Sequence, residues 1–150
     1  MKTKLYVLLL ILLAGCSDPA EINGKFPLLE GTEFTFSFGE SVSEYIPIKE
    51  GELKSFSPIG RIEMGDFEIL IGHNAENEFL EWAEVFAWVY TENQIQDRLM
   101  ISTGESGVNM VTTITGNKLV RQTEWFTPEM EEPELKEESW EVSKKGFSLN

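Results

Sequence analysis

The feature that most constrains the fold is a period-two alternation of apolar and polar residues, which recurs in short stretches between turn-forming residues. The clearest case is residues 32–39, TEFTFSFG, in which Phe34, Phe36 and Phe38 alternate with polar or small residues. Successive side chains of an extended strand point to opposite faces, so this pattern predicts a strand buried on one face. A chain built from such stretches folds as an all-β protein.

Six further stretches have the same strand-like character: GDFEILIG (65–72), IQDRLMIS (95–102), VNMVTTIT (108–115), KLVRQTEWF (118–126), ELKEESWEV (134–142) and GFSL (146–149). In 65–72 the apolar face is Phe67, Ile69 and Ile71; in 108–115 it is Val108, Met110 and Ile114. In 95–102 we expect Ile95, Leu99 and Ile101 on one face, which Asp97 interrupts. The β-branched content of these stretches also favours strands.

Turn-forming residues separate the predicted strands every eight to fourteen residues from Gly65 onward. TGNK (115–118) is the strongest hairpin signal, because glycine and asparagine tolerate a positive φ. SKKG (143–146), TENQ (91–94) and TGESG (103–107), the last taken as a hairpin loop, are the other predicted turns. Eight or nine sequence-adjacent antiparallel strands predict a meander that forms a small lipocalin-like barrel or a sandwich, without a lipocalin sequence signature.

Residues 76–90, ENEFLEWAEVFAWVY, allow two interpretations. A helix would place several aromatic residues on one face, but the apolar run 85–90 and its aromatic and β-branched residues favour a strand from Trp82 to Tyr90, with at most one short helix near 76–84. We expect Phe86 and Trp88 on opposite faces of this strand. An aromatic face left uncovered would then bind a ligand or partner, which makes Trp82, Phe86 and Trp88 candidate binding residues.

The first fifteen residues, MKTKLYVLLLILLAG, have the three parts of a secretion signal. Lys2 and Lys4 give a positive start, residues 5–13 are apolar, and Ala14 and Gly15 are small residues suited to a cleavage point. As a helix, residues 5–15 would span about 16 Å at about 1.5 Å per residue. This is too short to cross a hydrocarbon core of about 30 Å.

The residues LAGC, Leu13–Cys16, match the lipobox of bacterial lipoproteins at every position. The chain thus resembles bacterial lipoproteins over its first sixteen residues. The resemblance implies cleavage between Gly15 and Cys16 and a diacylglyceryl group on the Cys16 sulfur. The usual chemistry of this class also allows acylation of the new amino terminus. Two or three acyl chains on one residue hold a small domain durably at a membrane.

This resemblance divides the chain into a cleaved signal peptide (1–15), a lipidated tether (16–25) and a single β-rich domain (26–150). By analogy with enterobacterial sorting, Ser17 after the cysteine favours the outer membrane of the cell envelope, with the periplasmic face and the cell surface both open. Cys16 is the single cysteine, so its lipidation leaves none for a disulfide.

The charge is strongly negative, at −14 for the whole chain. Removal of residues 1–15 takes away two lysines and no acids, which leaves ten bases against 26 acids, or −16. Such a chain is repelled by nucleic acid backbones, so a DNA or RNA partner is excluded. A basic protein or a cation is the electrostatically favoured partner.

The sequence predicts neither a catalytic site nor a metal site. His73, the single histidine, is expected to be an ordinary strand-end residue, and GES (104–106) a turn and not a nucleophile elbow. The run 128–141 carries seven glutamates at spacings that match no calcium loop, so we expect a solvated acidic loop leading into a strand with a charged outer face. Apart from the lipid, no cofactor is predicted.

The leading hypothesis is therefore a lipid-anchored, acidic, non-enzymatic binding protein of the cell envelope. It would be of an inhibitor or immunity type, directed against a basic enzyme such as a cell-wall hydrolase, or an accessory of a larger assembly. The alternative is a carrier of a small apolar ligand in a calycin-like cavity. An envelope hydrolase that uses paired glutamates is a third hypothesis, because such pairs are spatial and leave no sequence spacing.

Overall fold

The fold is all-β, as the alternation predicts, in a computed structural model that describes residues 22–37, 56–74 and 84–150. Residues 22–25 form a 3-10 helix, Ile22–Lys25. Nine strands follow in the described residues: β1 (Glu33–Ser37), β2 (Phe56–Glu63), β3 (Glu68–Asn74), β4 (Glu84–Thr91), β5 (Gln94–Thr103), β6 (Val108–Thr115), β7 (Lys118–Trp125), β8 (Glu134–Ser143) and β9 (Gly146–Leu149). β4 confirms the strand interpretation of the ambiguous segment from residue 84 onward, and residues 76–83 of that prediction lie outside the described ranges.

The strands form two antiparallel sheets. The four-stranded sheet has the order β2-β3-β4-β5, and the five-stranded sheet has the order β1-β6-β7-β8-β9. Each is a meander, except that β1 is added at the edge beside β6. Among the described strands no ladder joins the sheets into a closed barrel, so of the two predicted architectures the sandwich is the observed one.

Three predicted turns close hairpins. Gly116 has a φ of 56° in the β6–β7 turn, and Gly146 has a φ of 129° at the end of the β8–β9 turn. In the β4–β5 turn the two central residues, Glu92 and Asn93, both have a positive φ, of 52° and 60°. Two positive φ values suit the right-handed twist of the paired strands. The predicted hairpin loop 103–107 is different: it carries the chain from one sheet to the other, since β5 and β6 do not pair.

The core lies between the two sheets. All nine strands contribute apolar side chains from their inner faces, and the predicted alternations hold: Phe36, Ile69, Ile71 and Ile114 are all buried there. The other buried members are Ile62, Val85, Ala87, Val89, Ile101, Leu119, Trp140 and Val142. Without a disulfide in the domain, burial of this surface is the main source of stability.

A second apolar cluster covers the outer face of the four-stranded sheet. Trp88 and Tyr90 of β4 pack there with Leu70 and with Phe26, which precedes β1, while Phe86 packs at the margin. The prediction that Phe86 and Trp88 occupy opposite faces is wrong. Their rings lie on the same face with centroids 5.8 Å apart, because residues two apart on a regular strand point the same way. β4 is thus buried on both faces, by the core and by this second cluster.

A bulge in β5 changes the predicted face of one residue. Tyr90 pairs with Ile95 and Val89 with Asp97, so Gln96 is unopposed and the alternation shifts by one. Ile95 therefore joins the second cluster, while Leu99 and Ile101 remain in the core, so the expectation that all three share a face is wrong. Asp97 faces the five-stranded sheet, where its Oδ2 accepts a hydrogen bond of 2.9 Å from the Phe147 amide.

Side chains take the place of a backbone ladder where β5 passes β6. The buried Ser102 hydroxyl donates to the Met110 carbonyl at 3.1 Å, and the buried Thr112 hydroxyl donates to the Ile101 carbonyl at 2.6 Å. These two hydrogen bonds satisfy carbonyl groups that an uninterrupted sheet would have paired. They tie the two sheets together at the crossing.

Candidate binding surface

The predicted site residues fall in different places. Gly15, Cys16 and Trp82 lie outside the described residues. Trp88 is 4% exposed and belongs to the second cluster, so it packs the fold and offers no open face to a ligand. Phe86 keeps partial exposure, and the Arg98 guanidinium lies 5.8 Å from its ring centroid. The described aromatics of β4 therefore do not form the open aromatic site that the sequence suggested.

His73 lies within β3, opposite Ser57 of β2 and Val85 of β4. Partial burial lowers the pKa of His73 below its ordinary value of 6.5, so the ring is neutral at pH 7. In the described residues no group of three or more His, Cys, Asp or Glu side chains could hold a metal ion. No described helix is long and apolar enough to cross a membrane.

An ionic network occupies the inner face of the five-stranded sheet, where the sequence had suggested nothing unusual. Arg121 of β7 donates to Glu138 of β8 at 2.6 Å and, across the sandwich, to the Met100 carbonyl of β5 at 2.8 Å. Its guanidinium also stacks 4.7 Å from the Trp140 ring centroid. The hydrogen bonds from Arg121 and from Lys136 lower the pKa of Glu138 below its ordinary value. This network links the two sheets, so we assign it a role in the stability of the fold and not in binding.

The outer face of the five-stranded sheet carries mostly polar side chains. Its cross-strand rows follow from the ladder registers. One row runs Glu33–Thr115–Lys118–Glu141–Ser148, the next Thr35–Thr113–Val120–Ser139, the third Ser37–Val111–Gln122–Glu137 and the last Asn109–Glu124–Leu135. Residues in one row are about 5 Å apart and share a face. We call its four carboxylates, Glu33, Glu124, Glu137 and Glu141, the acidic face.

Neutral neighbours hold the carboxylates of the acidic face. Gln122 donates to Glu137 at 3.0 Å, and Thr115 to Glu33 at 3.3 Å. Asn109 and Asn117 each donate to the glutamate beside them, Glu124 and Glu141, at 3.4 Å. Within the described residues these four carboxylates form no ion pair with Lys or Arg. Lys118, the one cation in these rows, stands opposite Glu141 and offsets part of the charge, so the face keeps a net negative charge.

The β7–β8 loop extends the acidic face at one end. We call residues 126–133 the acidic loop; its three glutamates, Glu129, Glu131 and Glu132, are exposed, as the sequence predicts. Apolar side chains are exposed in this loop and next to it: Phe126 at 49%, Met130 at 40% and Leu135, at the start of β8, at 69%. Exposed apolar side chains beside free carboxylates distinguish this corner from an ordinary solvated loop.

A cleft of about 420 Å³ lies at one end of the four-stranded sheet, between the β2–β3 and β4–β5 turns. It is lined by Glu63, Gly65, Asp66, Phe67, Glu68, Tyr90, Thr91, Glu92 and Asn93. Its charge is partly balanced from within the chain, because Arg61 pairs with Glu63 and Glu68 while Lys144 lies 3.3 Å from Asp66. The acidic face therefore offers a cationic partner more uncompensated charge than the cleft does.

Comparisons with protein-family models, with curated proteins and with solved structures give no significant match to this chain. The fold defines a two-sheet, all-β domain with an acidic sheet face. Sequence reasoning foresaw the exposed acidic run but missed the acidic face, whose glutamates come from three strands. The available sequence signal was the set of polar residues that alternate with the apolar ones. It identifies the solvent-exposed face of each strand, but it does not show which strands lie side by side.

Proposed function

We propose that this protein is a lipid-anchored, non-enzymatic binding protein of the bacterial cell envelope that captures a basic protein on its acidic face. It acts as an inhibitor, immunity or accessory lipoprotein, held at the outer membrane by acyl chains on Cys16. The lipobox at residues 13–16 supports the anchor. The observation that carries the binding proposal is the set of four carboxylates on one sheet face, which form no ion pair within the described residues and which outnumber the single cation of that face, Lys118.

Charge on this face would act mainly on the rate of encounter. A negative sheet face on a chain of net charge −14 attracts a cationic partner over distances comparable to the Debye length, about 8 Å at physiological ionic strength. Such attraction raises association rates and favours basic partners over acidic ones. An open sheet face suits a protein surface better than a small molecule, which generally needs a concave pocket.

The alternative of an apolar-ligand carrier has weaker support. The inner faces of the described strands fill the space between the sheets with their own apolar side chains, from Phe36 of β1 to Val142 of β8. A carrier of this size needs a cavity several hundred Å³ in volume between its sheets. Purification of the protein from envelopes without a copurifying lipid, apart from the covalent acyl chains, would further reduce the case for a carrier.

The binding proposal is tested by crosslinked capture of the lipidated protein from envelopes at low and high salt, followed by identification of the captured proteins. We expect basic proteins that are released by salt. The variant Glu124→Gln/Glu137→Gln should weaken capture several-fold, because it removes two charges of the acidic face while keeping their shape. The matched control, Glu30→Gln/Glu92→Gln, removes two exposed charges elsewhere and should capture as the wild type does. Equal capture by both variants would contradict the proposal.

The anchor is tested separately by metabolic labelling with a radioactive fatty acid. Label should be incorporated into the wild-type protein and be absent from Cys16→Ser, because the serine hydroxyl does not replace the thiol as the acceptor of the diacylglyceryl group. Label that persists in Cys16→Ser would show that the lipidation site lies elsewhere and would refute the assignment of the lipobox.

A further inference from the structure

We infer that the corner formed by Phe126, Met130 and Leu135 is the docking point of the acidic face, and that it binds a cationic segment carrying apolar side chains. The inference rests on the proposed function and adds the chemistry of the partner. The carboxylates of the acidic face select a partner with cationic side chains, and the exposed apolar side chains of this corner select one that also carries apolar side chains. The corner pairs apolar side chains with unneutralised carboxylates on one surface.

The register of β7 and β8 places two exposed apolar residues, Phe126 and Leu135, close together. Glu124 pairs with Leu135 and Trp125 with Glu134, so Phe126 follows directly after the last paired residue of β7. By alternation Phe126 points to the same outer face as Glu124 and lies diagonally across from Leu135. Diagonal neighbours on one face are about 7–8 Å apart, which is within reach of aromatic and long side chains. Phe126 and Leu135 are thus neighbours on one face, and together they present an exposed apolar surface.

Backbone hydrogen bonds hold the corner in place without covering it. The Phe126 amide donates to the Gly107 carbonyl at 2.7 Å, and the Met130 amide donates to the Thr127 carbonyl at 3.0 Å within the acidic loop. Gly107, with a φ of 80°, lies so close to the Phe126 carbonyl that a Cβ would collide with it. The end of β7 is therefore attached to the β5–β6 connection and the loop carries a turn of its own, which fixes the backbone from which these side chains project and lowers the entropy cost of binding.

Charge complementarity selects the partner. Glu124 and Glu137 lie beside the patch on the acidic face, and Glu129, Glu131 and Glu132 lie in the acidic loop. A partner that buries its own apolar side chains against Phe126 and Leu135 brings its flanking residues next to these carboxylates. Acidic flanking residues would be repelled by the carboxylates. Neutral flanking residues would remove water from the carboxylates without replacing it by an opposite charge, which costs free energy. Lysine or arginine in the flanking positions avoids both penalties.

Two synthetic peptides of equal length and charge test this inference on the full lipidated protein in detergent. One alternates lysine with leucine and the other alternates lysine with serine. We expect the wild type to bind the lysine–leucine peptide about tenfold more tightly in isothermal titration, because only this peptide fills the apolar corner. Increasing salt should weaken both complexes.

The variant Phe126→Ser/Leu135→Ser should bind the two peptides with equal affinity, while Leu28→Ser, an exposed leucine on another edge, should keep the tenfold preference. Leu135→Ser alone repeats the test with less perturbation and should lose most of the preference. If the wild type shows no preference, or if the double variant keeps it, the docking point is refuted. The glutamine variants at Glu124 and Glu137 then still decide the capture proposal independently.

Discussion

Arg121 provides the sharpest prediction about stability, because one side chain links both sheets. In Arg121→Met the unbranched apolar stem of the side chain is largely kept and the guanidinium is lost. The Met100 carbonyl then loses its donor, and Glu138 keeps Lys136 as its remaining cation, at 2.7 Å. The substitution therefore removes the polar link between β7 and β5 with little change in volume.

The magnitude follows from the contacts. A hydrogen bond from a charged donor contributes about 1.5–3 kcal/mol, and stacking of the guanidinium on Trp140 adds about 0.5–1 kcal/mol. The ion pair with Glu138 adds less than a fully buried pair would, since the side chains of Arg121 and Glu138 are 15% and 18% exposed. Methionine recovers part of the packing. We expect the free energy of unfolding to fall by about 2–4 kcal/mol, which corresponds to about 8–16 °C in the unfolding midpoint.

Urea unfolding of the purified mature chain, followed by tryptophan fluorescence and by far-UV circular dichroism, measures this loss. The matched control is Lys136→Met, which removes the other cation of Glu138 from a side chain that is 56% exposed. We expect the control to lose about 0.5 kcal/mol or less. If Arg121→Met also loses less than about 0.5 kcal/mol, as ordinary surface substitutions do, the network does not hold the sheets together and the reasoning fails.

Two further predictions concern the sheet crossing and the pH dependence. Thr112→Val should lower the free energy of unfolding by about 1–3 kcal/mol in the same assay, because it removes the hydroxyl that donates to the buried Ile101 carbonyl. The control Thr113→Val, on the outer face, should change it by about 0.5 kcal/mol or less. Equal effects of the two variants would contradict a role of Thr112 in holding the two sheets together. Stability should fall as the pH drops below about 6.5, since burial lowers the pKa of His73 and the unfolded chain then binds the extra proton. The stabilisation from ionised Glu138, whose pKa Arg121 lowers, is present above pH about 4.5 and should be lost as the pH falls through the lowered value. In a series of urea titrations His73→Gln should remove the first loss and leave the second; an unchanged profile would rule out His73 as its source.

The errors of sequence reasoning have local causes. The alternation in 95–102 put Ile95 with Leu99, and one unopposed residue, Gln96, reversed it. A bulge changes the hydrogen-bond register without any strong mark in the sequence, so a period-two pattern cannot reveal it. The assignment of Phe86 and Trp88 to opposite faces failed for a simpler reason, because their spacing of two already required the same face.

The candidate surface was harder to foresee than the strands. The acidic loop lies within one stretch of chain, so composition alone predicted its exposure. The acidic face combines Glu33, Glu124, Glu137 and Glu141 from β1, β7 and β8, and β1 reaches its place only by pairing with β6, more than seventy residues away. The Arg121 network likewise depends on β5 lying across β7 in the other sheet.

The sequence by itself determined the all-β class, the positions of most strands and turns, the net negative charge and the apolar faces, because alternation and turn chemistry act between near neighbours. The tertiary structure decided that these strands form a sandwich, that Trp88 is covered by Phe26, and that four distant glutamates share one face. Those outcomes depend on which strands pair and in which register. Pairing between distant strands is a competition among long-range contacts, and no single stretch of this chain encodes it.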